Sequence, residues 1–242
     1  YQPKIDIRTG RVVGAEALLR WNHPVKGMVS PVDFIPVLET SGMIIDVGQW
    51  VLEEACKTLV TWKESGLWQA GMKLSINISP RQFRRDAFVD DVIAALDKYP
   101  IPEKSLDMEI TEGIVIQRVD DAIVTMTTLS DRGISFSLDD FGTGYSSISY
   151  LKRLPVSTLK IDQGFVRDII DDRNDRVLVE TIITMGRLLD MELVAEGVEE
   201  QEQLEILKSF GCDYYQGYLS SQAVPFAEFE EILAREQSEQ PA

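Results

Sequence analysis

The chain has 242 residues, 44% of them hydrophobic, enough to bury one large core as a single α/β barrel or two smaller ones. With 40 acidic against 24 basic residues the formal net charge is −16, which disfavours nucleic-acid polymers and anionic membrane surfaces and requires any phosphate-bearing ligand to be held by local cations. No uncharged apolar run approaches the roughly 20 residues needed to span a bilayer, and the distant pair Cys56 and Cys212 fits neither a disulfide framework nor a metal-ligand spacing, as expected of a reducing, cytoplasmic compartment.

In chain order, 1–7 (YQPKIDI) and 11–21 (RVVGAEALLRW) read as two strands joined by the turn RTG, followed by helices near 31–40 and 44–65. The single histidine, His23 in RWNHP, falls in a turn and reads as a surface or capping residue, which excludes Ser-His-Asp and His-Cys catalysis. From residue 73 onward, strand-like runs alternate with amphipathic helices: 73–79 then 86–98, 106–112 then 119–131, 134–140 then 146–153. The same alternation continues with 158–162 then 173–189, 192–197 then 200–209, and 212–218 then 226–236. Such a rhythm predicts a parallel sheet with helical crossovers. About eight strands in this length point to a closed TIM-type (β/α)₈ barrel with irregular N-terminal strands; an open doubly wound sheet is the alternative.

Successive strand residues face opposite sides. In KLSINIS, Leu74, Ile76 and Ile78 oppose Lys73, Ser75, Asn77 and Ser79; Met108 and Ile110 oppose Asp107, Glu109 and Thr111; Phe136 and Leu138 oppose Ser135, Ser137 and Asp139. The apolar face meets the helices, so the polar face lines the barrel. At the C-terminal strand ends, where barrel active sites sit, this places Asn77, Glu109, Asp139, Asp140, Lys160, Glu196 and Gln216, joined by Glu16 from the N-terminal pair. Carboxylates crowded in one mouth repel unless cations neutralise them or some are protonated. Oxygen donors without a Cys or His cluster favour Mg²⁺ or Mn²⁺ over Zn²⁺. The adjacent Asp139 and Asp140 can serve two ions a few ångströms apart, with Lys160 steering the water between them.

The ordered motifs EALLRW (16–21), NIS (77–79), EITE (109–112), DDFGTGYSS (139–147), LKID (159–162), AEGVE (195–199) and QGY (216–218) resemble those of EAL domains over nearly the whole chain. The resemblance implies a modified TIM barrel and a two-metal phosphodiesterase that hydrolyses cyclic di-GMP to linear 5′-pGpG. It implies metal ligation by Glu16, Asn77, Glu109 and Asp139, with Asp140 on the second Mg²⁺ or Mn²⁺ ion. Lys160 is similar to the catalytic lysine beside the attacking water, Glu196 to the base or metal-site anchor, and Gln216 to the polar residue completing the site. Glu112 resembles a glutamate that tethers the loop after the aspartates, while Gln2, Arg20 and Asp162 are similar to ligand-contacting residues.

Two stretches depart from the family pattern: 220–223, where many members carry an aromatic and a basic residue, and Gln163–Gly164, where a basic residue often stands. Residues 1–242 are expected to form one EAL domain of a larger multidomain signalling protein, without direct membrane contact of its own and dimerising through helices near the 141–153 loop. A receptor that binds cyclic di-GMP without cutting it, and a barrel glycosidase using Glu109 and Glu196, are the competing readings.

Overall fold

The computed structural model describes residues 1–142 and 148–238. Among them are ten strands: β1 (Gln2–Asp6), β2 (Val12–Ala17), β3 (Trp21–His23), β4 (Gly27–Val29), β5 (Lys73–Asn77), β6 (Leu106–Thr111), β7 (Ser135–Phe141), β8 (Thr158–Ile161), β9 (Glu192–Glu196) and β10 (Tyr214–Gln216). Eight of them close a barrel in the order β1-β10-β9-β8-β7-β6-β5-β2, so the open-sheet alternative is set aside. Every neighbouring pair is parallel except those of β1, which runs antiparallel to both β2 and β10. The irregular start is therefore one reversed strand.

Side-chain alternation sorts the strands as expected. Leu74, Ile76, Met108, Ile110, Phe136, Leu138 and Leu159 are buried in the layer between barrel and helices. The 21-residue helix Ile44–Glu64 contributes Leu52, Ala55, Leu59 and Trp62 to that layer. Trp62 stacks on Trp68 at 5.0 Å and on Phe226 at 5.6 Å between ring centroids, which fastens the C-terminal helix Phe226–Ser238 to the barrel wall. Cys56 and Cys212 are free thiols in the same buried shell. No helix among the described residues is long and apolar enough to cross a membrane.

Three departures from the sequence expectation bear on the site. The second strand stops at Ala17; Trp21–His23 instead pairs with Gly27–Val29 in a separate hairpin, whose turn is held by His23 Nδ1 accepting from the Val25 and Lys26 amides. Three helices of four or five residues, Pro80–Phe83, Glu112–Ile116 and Gln163–Arg167, follow directly on β5, β6 and β8. Each is too short to show a helical period, but two are capped, one by Ser79 with Gln82 and one by Asp162. Finally, β7 continues through Asp140 to Phe141 rather than breaking there.

Candidate active site

The C-terminal ends of the parallel strands converge on Lys160, which is 1% exposed. Its ammonium lies 2.6 Å from Glu109 Oε2 and 2.6 Å from Glu196 Oε1, with Asp139 Oδ1 at 3.4 Å and Glu16 Oε2 at 3.8 Å. Glu16 is itself gripped by two amides: Asn77 Nδ2 donates to its Oε1 at 2.6 Å and Gln216 Nε2 to its Oε2 at 2.7 Å. Gln216 also donates to Gln2 Oε1 at 3.0 Å. Pairing of Gln2 with Glu16 across the antiparallel β1–β2 ladder brings the start of β1 to this end of the barrel. The end of β10 is fixed by Gly217, where any Cβ would stand 2.1 Å from the Val198 carbonyl, so the QGY turn can press on the AEGVE turn only without a side chain.

The paired aspartates sit on a bulge. Leu138 is in register with Leu159 and Phe141 with Ile161, so β7 carries one more residue than β8 across this interval. Asp140 absorbs the extra residue with φ +56°, a left-handed conformation that Asp tolerates better than most residues. Strict alternation would turn Asp140 away from Asp139; the bulge keeps both at the mouth. The Asp140 carboxyl is raised above its ordinary value by burial, then by Asp139 and Asp162, so all three charges share one neighbourhood.

The mouth holds more carboxylate than its lysines neutralise. Burial works against the charge on Glu109, but Lys160 and Lys4 outweigh it and hold that carboxyl down at about 2. Glu16 is raised by burial and by Glu109. Glu196 is pushed up to about 8 by burial; Lys160 opposes the rise, and Asp139, Glu16 and Glu109 add to it. For Lys160, burial is overcome by Glu109, Glu16, Glu196 and Asp139, which keep its ammonium charged well above the usual lysine range. One cation stabilises its nearest partner and leaves the other acids uncompensated.

This donor set fits hard divalent cations. Its groups are carboxylates and amides, its acids are under-neutralised, and the buried Oε1 of Gln216 has no hydrogen-bond partner. Among the described residues, no three acidic, histidine or cysteine side chains stand at ion-holding spacing.

The remaining expected residues fall around this centre. Gln2 donates to the Ser221 carbonyl at 3.1 Å, so the departing 220–223 stretch meets the site through its backbone. Arg20 lies outside the lysine cluster, on an open groove of about 460 Å³ that also includes Leu18, Met28, Trp50 and Pro225. Asp162 caps the helix after β8 by accepting from the Gly164 amide at 2.9 Å. A Cβ at Gly164 would lie 2.8 Å from that carboxylate. Glu112 is buried and accepts a hydrogen bond from the Tyr150 hydroxyl. Residues 143–147 of the loop that Glu112 is expected to tether lie outside the described residues.

Lys4 belongs to the site and was absent from the sequence-derived set. It is buried and donates to Glu109 Oε1 at 2.8 Å. The signal was available: Lys4 is two residues from Gln2 on the same strand and must share its face.

The profile of the EAL domain family matches residues 1–223. The chain is 42% identical over 234 residues to the bifunctional diguanylate cyclase/cyclic di-GMP phosphodiesterase MucR of Pseudomonas aeruginosa, covering 97% of this chain and 33% of that protein. It is 38% identical over 233 residues to the cyclic di-GMP phosphodiesterase NbdA of the same organism, covering 96% and 30% respectively. The chain therefore spans about a third of the length of these curated relatives. Among solved structures, the PaMucR phosphodiesterase in its c-di-GMP complex aligns with a TM-score of 0.91 at 41% identity, over 95% of this chain and 92% of that one. The EAL domain of Mycobacterium smegmatis DcpA aligns with a TM-score of 0.83 at 36% identity, over 97% and 96%. The chain belongs to the EAL domain family.

Proposed function

We propose that this domain is a metal-dependent phosphodiesterase that opens cyclic di-GMP to linear 5′-pGpG. The observation that carries the reading is the Lys160 ammonium set among Glu16, Glu109, Asp139 and Glu196, acids too numerous for it to neutralise. The names and bound ligand of the related phosphodiesterases support the choice of substrate.

Glu16, Asn77, Glu109 and Asp139, with Asp140 on a second ion, would hold Mg²⁺ or Mn²⁺, whose charge would stabilise both the attacking and the leaving oxygen. Lys160, 2.6 Å from Glu196, would orient the attacking water or help to deprotonate it. Glu196 shares this position beside Lys160 and is the second candidate to hold or accept the water proton. Water adds to one phosphorus, the bond to the 3′ oxygen breaks, and the product carries a free 3′ hydroxyl and a 5′ phosphate. Arg20 provides a planar guanidinium for the phosphates, and the groove beside it provides apolar walls for a base. Gln216 fixes Glu16 and Gln2 in a single arc.

The test is turnover of cyclic di-GMP with Mn²⁺ or Mg²⁺, with and without EDTA, resolved by chromatography. The expected result is accumulation of 5′-pGpG that EDTA abolishes. Tight binding without product would make the domain a receptor, and hydrolysis indifferent to EDTA would overturn the metal chemistry.

A further inference from the structure

Lys4 has no place in the chemistry described so far, yet its contacts are directed at the centre of it. Because β1 is reversed, Gln2 lies at the mouth and Lys4 one layer deeper, opposite Gly14. Its ammonium rises from beneath the site and donates to Glu109 Oε1 at 2.8 Å and to Ser75 Oγ at 2.6 Å. Ser75 in turn donates to Asp107 Oδ2 at 2.7 Å, and Ser137 donates to the same oxygen at 2.7 Å. Lys4, Ser75, Asp107, Glu109 and Ser137 are all buried.

Glu109 is consequently divided between two lysines. Oε1 faces down to Lys4 and Oε2 faces the mouth, where Lys160 approaches to 2.6 Å. Lys160 is shared with Glu196, Asp139 and Glu16. Among the described residues, Lys4 forms an ion pair with Glu109 alone. We infer that Lys4 is a positioning residue: by pinning Oε1 from below, it fixes the orientation in which Glu109 presents Oε2 to the cations and substrate at the mouth. Asp107, held by two serine hydroxyls and linked to Lys4 through Ser75, anchors the ammonium from the opposite side. Without Lys4, both oxygens of Glu109 would turn onto Lys160, the remaining cation, and the mouth-facing oxygen would be withdrawn. This inference rests on the metal-dependent reading proposed above.

The test is a double-mutant cycle on Mn²⁺ affinity, measured by calorimetry without substrate, for wild type, Lys4→Met, Glu109→Gln and the double variant, with thermal melting as the check on folding. Lys4→Met should weaken Mn²⁺ binding by about tenfold or more, as loss of an outer group that orients a metal ligand does. In the Glu109→Gln background the same change should move affinity by less than about twofold, because the residue through which Lys4 acts is already altered. In turnover, kcat should fall with little change in KM for cyclic di-GMP. Lys73→Met is the charge control: it removes a lysine paired instead with Glu192 at 2.7 Å and should leave Mn²⁺ affinity within about twofold. If Lys4→Met does not fold, Lys4→Gln is read by the same criteria. Equal effects of Lys4→Met in both backgrounds, or wild-type affinity in a folded Lys4→Met protein, would overturn the inference while leaving the phosphodiesterase reading intact. A wild-type protein that binds no Mn²⁺ would overturn both.

Discussion

The upper and lower layers of the barrel interior use similar residues to opposite effect. In the lower layer, Asp107 accepts from two serine hydroxyls and lies one serine away from Lys4. In the upper layer, Glu16, Glu109, Asp139 and Glu196 crowd a single Lys160, and the bulge adds Asp140 beside them. A buried charge is tolerable when it is paired and hydrogen-bonded; the lower layer leaves one oxygen, Asp107 Oδ1, without a hydrogen-bond partner, whereas in the upper layer four acids share Lys160. The contrast teaches where to look for chemistry in a polar barrel. Burial of charge is common to both layers, and the imbalance marks the one that expects a ligand.

The largest effect should follow from removing the upper layer's hub. Lys160→Met should cut turnover on the order of 10³-fold, the scale lost with a key orienting donor. A rate within tenfold of wild type would show that Lys160 is only structural filling. Next comes the tether beside the bulge. Glu112→Ala removes the acceptor of the Tyr150 hydroxyl and should lower metal-dependent turnover about tenfold without altering a direct ligand. If the variant melts earlier but turns over normally, Glu112 belongs with the structural half of the comparison.

The imbalance should also be visible in stability against pH. In EDTA, Glu196 has a folded value of about 8 against an ordinary 4.5. A raised acid binds its proton more tightly in the folded than in the unfolded chain, so folding stability contributed by this group falls as pH rises between those values. Glu109 is shifted the other way, to about 2, and its contribution is lost only as pH falls below the ordinary carboxylate range. Melting temperature in EDTA should therefore decline from about pH 5 to pH 8, and saturating Mn²⁺ should flatten the decline. A flat profile in EDTA would mean that the upper layer is already neutralised. The smallest effect belongs to the lower layer: Ser137→Ala removes one of two donors to Asp107 Oδ2 and should cost about 1 kcal/mol in unfolding free energy with turnover nearly unchanged.

Much of this arrangement is legible in the sequence, for identifiable reasons. Alternation in parallel strands turns Asn77, Glu109 and Asp139 inward together, and strand-helix rhythm predicts the closed barrel that gathers them. What is hidden depends on backbone events with no periodic signature. The bulge at Asp139 and Asp140 needs one residue in a left-handed conformation, and the sequence pattern of an aspartate pair does not announce it. Short helices such as Glu112–Ile116 span little more than one turn. The hairpin of β3 and β4 hides in a segment that reads as continuous strand through Trp21. Lys4 was hidden differently: the alternation that places Gln2 inside places Lys4 inside too, but strand direction decides that it lies beneath Glu109.

The central claim is that divalent cations make up the charge that the upper layer lacks, with Asp140 holding the second. It is tested most directly by the stoichiometry of Mn²⁺ binding to wild type and Asp140→Asn, measured by calorimetry without substrate. The account predicts two ions per wild-type chain and one per variant chain, with the variant folded and nearly inactive. Equal stoichiometry in the two proteins, or no Mn²⁺ bound to the wild type, would contradict it.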